Sequence, residues 1–101
     1  NFSTDMTMVM RALELGMSTV LKGTKVDGIY EQDPTKHPDA KFISHISYDD
    51  YLARDLKIVD FSAVGMARQH NIKLRIFNFK EDNFKRVLVD DSVGSTISSG
   101  N

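Results

Sequence analysis

Two stretches of this chain combine residue types that can handle a phosphorylated ligand. The first is Ser3-Thr4-Asp5, directly ahead of a helical pattern. A helix N-terminus presents free N–H groups and the positive end of the helix dipole, and both favour phosphate. Two hydroxyls there add donors. The Asp5 carboxylate repels phosphate unless it orients a lysine or a metal-bound nucleotide. The same three residues also suffice as a plain N-cap, and that structural role competes with the functional one.

The second stretch is Lys22-Gly23-Thr24-Lys25-Val26-Asp27-Gly28-Ile29-Tyr30, continued by Asp33-Pro34. It follows a short apolar run directly, and open α/β sheets bind ligands at the carboxyl ends of their strands. Thr24 offers a hydroxyl. Tyr30 offers a ring on which a base can stack, worth about 1–3 kcal/mol by analogy with base–aromatic pairs. Asp33 is held out of helical geometry by Pro34 and can accept from a ribose hydroxyl or a base amine. The sequence contains no G-x-x-x-x-G-K, so this is not a P-loop. A polar surface loop with a glycine turn accounts for the same residues.

Other chemistries find little support. His37, His45 and His70 are far apart and lack a carboxylate or cysteine at ligand spacing, so no zinc site and no protein metal ligand is expected. Ser47 and Ser62 have no neighbouring His–acid pair. The absence of cysteine excludes disulfides, iron–sulfur clusters and thiol catalysis. Asp49 and Asp50 read as first-turn helix acids, Asp90 and Asp91 as a solvated turn, and Lys85 and Arg86 as the wet face of a helix.

The elements that must position the two stretches follow from periodicity. Met6, Val9, Met10 and Leu13 form one helical face, widened by Met8, Ala12 and Leu15, and Gly16 ends the helix. Residues 19–22 read as a strand and residues 24–41 as a long loop punctuated by Gly28, Pro34 and Pro38. Residues 42–46 are expected as a strand and 48–54 as a short helix capped by Ser47. A helix over 60–70 should carry Ala63, Met66, Ala67 and His70 on one face. Residues 74–77 form a strong strand, 82–89 a helix and 93–97 a last strand. Helices alternating with short apolar strands point to an α/β layered fold.

With 101 residues, 41% hydrophobic and 27% charged, the composition is that of one ordinary globular unit. A net charge of −1 gives no electrostatic case for nucleic acid or an anionic membrane surface. No apolar run reaches membrane-spanning length. The first residues show no charged segment followed by an apolar core.

Phe2-Ser3-Thr4-Asp5 with Arg11-Ala12-Leu13-Glu14-Leu15-Gly16 resembles the helix after the phosphate loop of bacterial UMP kinases. Leu21-Lys22-Gly23-Thr24-Lys25-Val26-Asp27-Gly28-Ile29-Tyr30 with Asp33-Pro34 resembles the ATP-binding segment of that family. Ser47-Tyr48-Asp49, Leu56-Lys57-Ile58-Val59-Asp60, Leu74-Arg75-Ile76-Phe77-Asn78 and Val93-Gly94-Ser95-Thr96-Ile97 continue in the family's order. The resemblance implies the amino-acid-kinase fold, a three-layer αβα sandwich, of which residues 1–101 are the C-terminal, ATP-binding portion. It implies transfer of the ATP γ-phosphoryl group to UMP, giving UDP and ADP.

Phe2, Ser3 and Thr4 then correspond to the UMP site, Asp5 to an acid that organises the transferring phosphate, and Thr24, Tyr30 and Asp33 to ATP contacts. The resemblance further implies Mg²⁺ carried largely by nucleotide phosphates, a cytoplasmic enzyme and a homo-hexamer at full length. Three departures accompany it. Asn1 stands where an aromatic residue usually follows a Gly-Asn-Pro run, Lys80-Glu81-Asp82-Asn83 replaces an Asn-Lys-Pro-Gly turn, and the family's N-terminal half has no counterpart. The opening inside a helix cap is accordingly expected of a chain that continues upstream, with residues 1–101 inactive alone. The alternatives are a non-catalytic nucleotide-binding half-domain, and another amino-acid kinase acting on a carboxylate or carbamate.

Overall fold

The computed structural model describes residues 3–54, 56–80 and 83–100. The helix predicted at the start is α1 (Thr4–Glu14), capped by the Ser3 hydroxyl, which accepts the Met6 N–H at 3.0 Å. Only Val9 and Ala12 of α1 are fully buried, Met6, Met8 and Leu13 pack partly against the core, and Leu15 is exposed. The helix is thus half-sunk, and less enclosed than its apolar pattern implies. Gly16 turns the chain with φ +69° into β1 (Thr19–Thr24).

The expected 24–41 loop carries a short strand, β2 (Ile29–Tyr30), which pairs antiparallel with β3 (Phe42–Ile43). The single strand expected over 42–46 is two strands in different sheets. It breaks at Ser44, and β4 (His45–Ser47) joins the main sheet. Then come α2 (Tyr48–Ala53), capped by the Ser47 hydroxyl at 3.0 Å from the Asp50 N–H, and α3 (Phe61–Gln69). The elements close with β5 (Lys73–Asn78), α4 (Asn83–Val89) and β6 (Ser95–Ser98). His70 caps α3 from an exposed position. The buried face of α3 is Ala63, Val64 and Ala67.

The main sheet has the order β1-β5-β6-β4. β1 and β5 run parallel, in register from Thr19 opposite Lys73 to Thr24 opposite Asn78. β6 is antiparallel to β5 and parallel to β4. Strand alternation sends Val20, Leu74, Ile76, Ile97 and Ile46 to one face, where they form a single core with Val9, Ala12, Ala63, Val64 and Ala67. Phe77 and Val87 are buried outside that core cluster, with the Phe77 ring tilted 47° to that of Phe84 at 6.3 Å between centroids. Helices on both faces of the sheet make three layers, an α/β sandwich. Among the described residues no helix is long and apolar enough to cross a membrane.

Two polar side chains inside apolar strands hold the outer pieces to this sheet. Arg75 is 8% exposed. It donates to the Val87 carbonyl and to the carbonyls of Asp90 at 3.0 Å and Val93 at 3.3 Å. Those oxygens lie at and beyond the end of α4, where helical carbonyls lack partners. Ser95 is fully buried. Its hydroxyl accepts the Ile29 N–H at 2.8 Å and donates to the Ile43 carbonyl, so it stitches β2 and β3 to the sheet. Gly28 permits that approach, because a Cβ there would stand 2.4 Å from Ser95 Oγ.

Ser95→Ala strands the buried Ile29 N–H, at a cost of about 1–3 kcal/mol. Thermal denaturation should register the loss. An unchanged melting temperature would show that β2 and β3 are held by other means.

Candidate functional site

The two chemically suggestive stretches meet at the carboxyl end of β1. Alternation puts Lys22 on the same face as buried Val20, pointing toward α1 rather than outward. Its ammonium donates to Asp5 Oδ2 at 2.9 Å and to the Ile58 carbonyl at 2.6 Å. Asp5 Oδ2 also accepts the Asp60 backbone N–H at 2.8 Å. Ser3 closes the arrangement by donating from Oγ to Asp60 Oδ2 at 2.9 Å while it caps α1. One knot therefore joins the start of α1, the end of β1 and the segment entering α3.

The segment 58–60 is held rigidly enough to serve in that knot because of Tyr51. Its buried hydroxyl accepts the Val59 N–H at 2.7 Å and donates to the Val59 carbonyl at 2.9 Å. Burial pushes this hydroxyl above the ordinary phenol value, partly offset by those bonds, so Tyr51 stays neutral and keeps its donor. Ion pairing in the knot is well shielded, with 24% of the Lys22 and 13% of the Asp5 side-chain surface exposed. Surface pairs such as Arg11 with Glu14, both more than half exposed, do not compare.

Beside the knot lies a cleft of about 260 Å³, lined by Val26, Tyr30, Asp33, Pro34, Lys57 and Ile58 among others. Its volume is near the lower end of the ~300–1,000 Å³ usual for small-molecule sites. Tyr30 is set edge-on against Phe42, with centroids 5.2 Å apart at 76°. Partial burial, with Asp27 adding to it, pushes the Tyr30 hydroxyl above its ordinary value. Asp33 accepts Thr35 Oγ1 at 2.7 Å and the Thr35 N–H at 2.9 Å, and these bonds hold its carboxyl below the usual range. It is thus a fixed, ionised acceptor at the rim. Ile58 belongs to both features: its carbonyl receives Lys22 and its residue walls the cleft.

Of the residues singled out from sequence, Ser3 and Asp5 enter the knot, and Tyr30 and Asp33 share the cleft. Thr24 joins neither directly. Its Oγ1 accepts the Val26 N–H at 2.9 Å and so braces a residue that lines the cleft. Thr4 points away, into an apolar groove between α1 and the edge of β1. Phe2 lies outside the described residues. The geometry adds Lys22, Ile58 and Asp60 to the residues expected from sequence. The available signal for Lys22 was its place two residues after a buried valine on one strand. A larger polar groove of about 540 Å³ sits at the opposite ends of β1 and β5, near Ser18, Asn71 and Lys73, and contains none of the predicted site residues.

Among the described residues no three His, Asp or Glu side chains converge as a metal cage. Each carboxylate of the knot keeps an oxygen outside these bonds: Lys22 and the Asp60 N–H both reach Asp5 Oδ2, and Ser3 Oγ reaches Asp60 Oδ2.

A family model described as the amino acid kinase family matches residues 1–78. The uridylate kinase of Pseudoalteromonas translucida is 42% identical over 99 residues, covering 97% of this chain and 40% of that protein. The crystal structure of UMP kinase from Bacillus anthracis superposes with a TM-score of 0.93 at 28% identity, covering 99% of this chain and 42% of that one. UMP kinase from Ureaplasma parvum superposes at 0.86 with 32% identity, covering 97% and 43%. The chain thus spans about two-fifths of the length of the curated relatives it matches.

Removing the Tyr51 hydroxyl tests whether the knot's floor is held as described. Tyr51→Phe leaves the buried Val59 N–H without a partner, and a loss of about 1–3 kcal/mol should follow. Denaturant melts of wild type and variant would measure it, and coincident curves would contradict this account.

Proposed function

Since this chain belongs to the amino acid kinase family, matched over residues 1–78, we propose that the complete polypeptide is a UMP kinase that moves the γ-phosphoryl group of ATP to UMP. Residues 1–101 are proposed as the C-terminal nucleotide-binding part of its single kinase domain. The observation that carries the reading is adjacency: the shielded Asp5–Lys22 pair stands against the same Ile58 that walls the Tyr30–Asp33 cleft. Phosphoryl transfer asks a protein for positioning and charge neutralisation more than for covalent chemistry. A fixed cleft beside a shielded charge pair supplies both.

In this reading the adenine and ribose of ATP occupy the cleft, with Tyr30 against the base and Asp33 accepting from the sugar or the base amine. Thr24 braces the loop and lies toward the phosphates. Ser3, at the start of α1, lies on the UMP side, while Phe2 and Thr4 are assigned to UMP by the resemblance alone. Asp5 organises the groups around the transferring phosphoryl. The residues fit a magnesium ion that arrives with the nucleotide: the carboxylate oxygens of Asp60 and Asp5 that lie outside the knot's bonds would hold it to the protein. When bound, the ion neutralises phosphate charge. The resemblance extends the proposal to a cytoplasmic homo-hexamer.

The deciding assay offers ATP with UMP, CMP or carbamate to the complete polypeptide. UDP formation with a clear preference for UMP is expected. Preference for carbamate would favour another amino acid kinase activity, and no transfer at all would favour a nucleotide-binding module. Within the active enzyme, Tyr30→Ala should raise the ATP KM about tenfold, the equivalent of ~1–2 kcal/mol of lost stacking and packing. The UMP KM should move little. A fall in UMP affinity with ATP affinity untouched would place the nucleotides the other way round.

A further inference from the structure

We infer that Lys22 is a catalytic residue of this transfer, its ammonium contacting the γ-phosphoryl group as that group passes from ATP to UMP. The inference rests on the UMP kinase reading and assigns a role which that reading leaves open. Donor count comes first. A lysine ammonium has three N–H donors and no acceptor. Two are engaged, by Asp5 Oδ2 and the Ile58 carbonyl. Among the described residues nothing takes the third, and 24% of the side-chain surface remains open. An anionic oxygen can therefore be met without breaking either existing bond.

Position agrees. Lys22 lies between the start of α1, with Ser3 and Asp5, and the cleft that Ile58 walls. A phosphoryl group moving between an acceptor at α1 and a donor in the cleft crosses this boundary. Charge agrees as well. Asp5, Asp60 and Lys22 together carry one negative charge, two carboxylates against one ammonium. Without Lys22 the phosphates would approach two uncompensated carboxylates. Arg75, the other well-shielded cation among the described residues, cannot substitute. Its guanidinium is committed to carbonyls at the end of α4, on the opposite face of the sheet.

In the step itself, the bond from the γ-phosphorus to the bridging oxygen of ATP breaks and its electron pair leaves with ADP. An oxygen of the UMP phosphate supplies the pair for the new bond. No proton and no redox partner is needed. Charge meanwhile spreads over the three peripheral oxygens of the transferring group. Lys22, already fixed by Asp5 and Ile58, meets that charge without reorganising. Asp5 is then a positioning residue acting through Lys22.

Steady-state kinetics on the complete polypeptide test this with three variants. Lys22→Met should lower kcat at least about a hundredfold, the usual scale for one preorganised electrostatic group, while both KM values stay within about threefold. Lys22→Arg retains a charge for Asp5, so a purely structural lysine would be replaced without loss. A bulkier, planar guanidinium cannot reproduce the geometry, and kcat should still fall at least about tenfold with the melting temperature kept within a few degrees. Lys22→Ala should regain activity with added ethylammonium and not with tetramethylammonium, which has no N–H donor. Near-normal kcat in Lys22→Met or Lys22→Arg, or equal effects of the two amines, would overturn the inference while leaving the UMP kinase reading intact. A wild-type protein that forms no UDP would sink both.

Discussion

The hydrogen-bonded ion pair between Asp5 and Lys22 is the contact on which the arrangement of this molecule turns. It joins a helix start, a strand end and the entry to α3, which are separated by 17 and by 55 residues in the chain. A shielded pair of this kind is costly to assemble unless its remaining donors and acceptors are satisfied. Here they largely are: Asp5 takes the Asp60 N–H, Lys22 takes the Ile58 carbonyl, and Ser3 bonds Asp60. Breaking one partner would leave the other charge shielded and uncompensated. The position of α1 against the sheet is therefore specified by polar geometry as well as by Val9 and Ala12.

The rest of the fold serves to hold the cleft at a fixed distance from that pair. β1 and β5 run parallel in the middle of the three layers and bring Lys22 opposite buried Ile76. Tyr51 holds the 58–60 segment from below. Ser95, in the same row of the sheet as Lys22 and Ile76, fixes β2 and thereby Tyr30, with Gly28 making room. Each of these three side chains bonds main-chain groups from another element. Such contacts are directional where hydrophobic burial is not, and they explain how a chain with a modest core places a short two-stranded sheet accurately.

Most of the architecture was legible from periodicity and capping. α1, β1, α2, α3 and β5 appear close to where apolar spacing and Ser3, Ser47 and Gly16 put them. The misses have one physical origin. β2 is two residues long and gains its pairing from Phe42 and Ile43, far along the chain, so no local period could mark it. The break at Ser44 reflects competition between two sheets for one apolar run. Arg75 and Lys22 fall inside the expected strands with no local sign of a role, yet each is a shielded cation whose partners come from other elements. Asp5, Tyr30 and Asp33 could be named as chemical types. What joins them, the carbonyl and side chain of Ile58, is a matter of tertiary proximity and carries no residue-type signature.

Under the proposed UMP kinase reading, Asp5 and Lys22 act as a unit: the carboxylate matters because it holds the ammonium. A double-mutant cycle on kcat for UDP formation measures this directly, using Asp5→Asn, Lys22→Met and the two together. Asn retains the size of Asp and caps a helix comparably, so the change is chiefly one of charge. Residues that work through each other give non-additive losses. The double variant is predicted to be about as slow as Lys22→Met alone. If the two losses instead multiply, Asp5 and Lys22 contribute independently, and the charge pair is not the centre of the site.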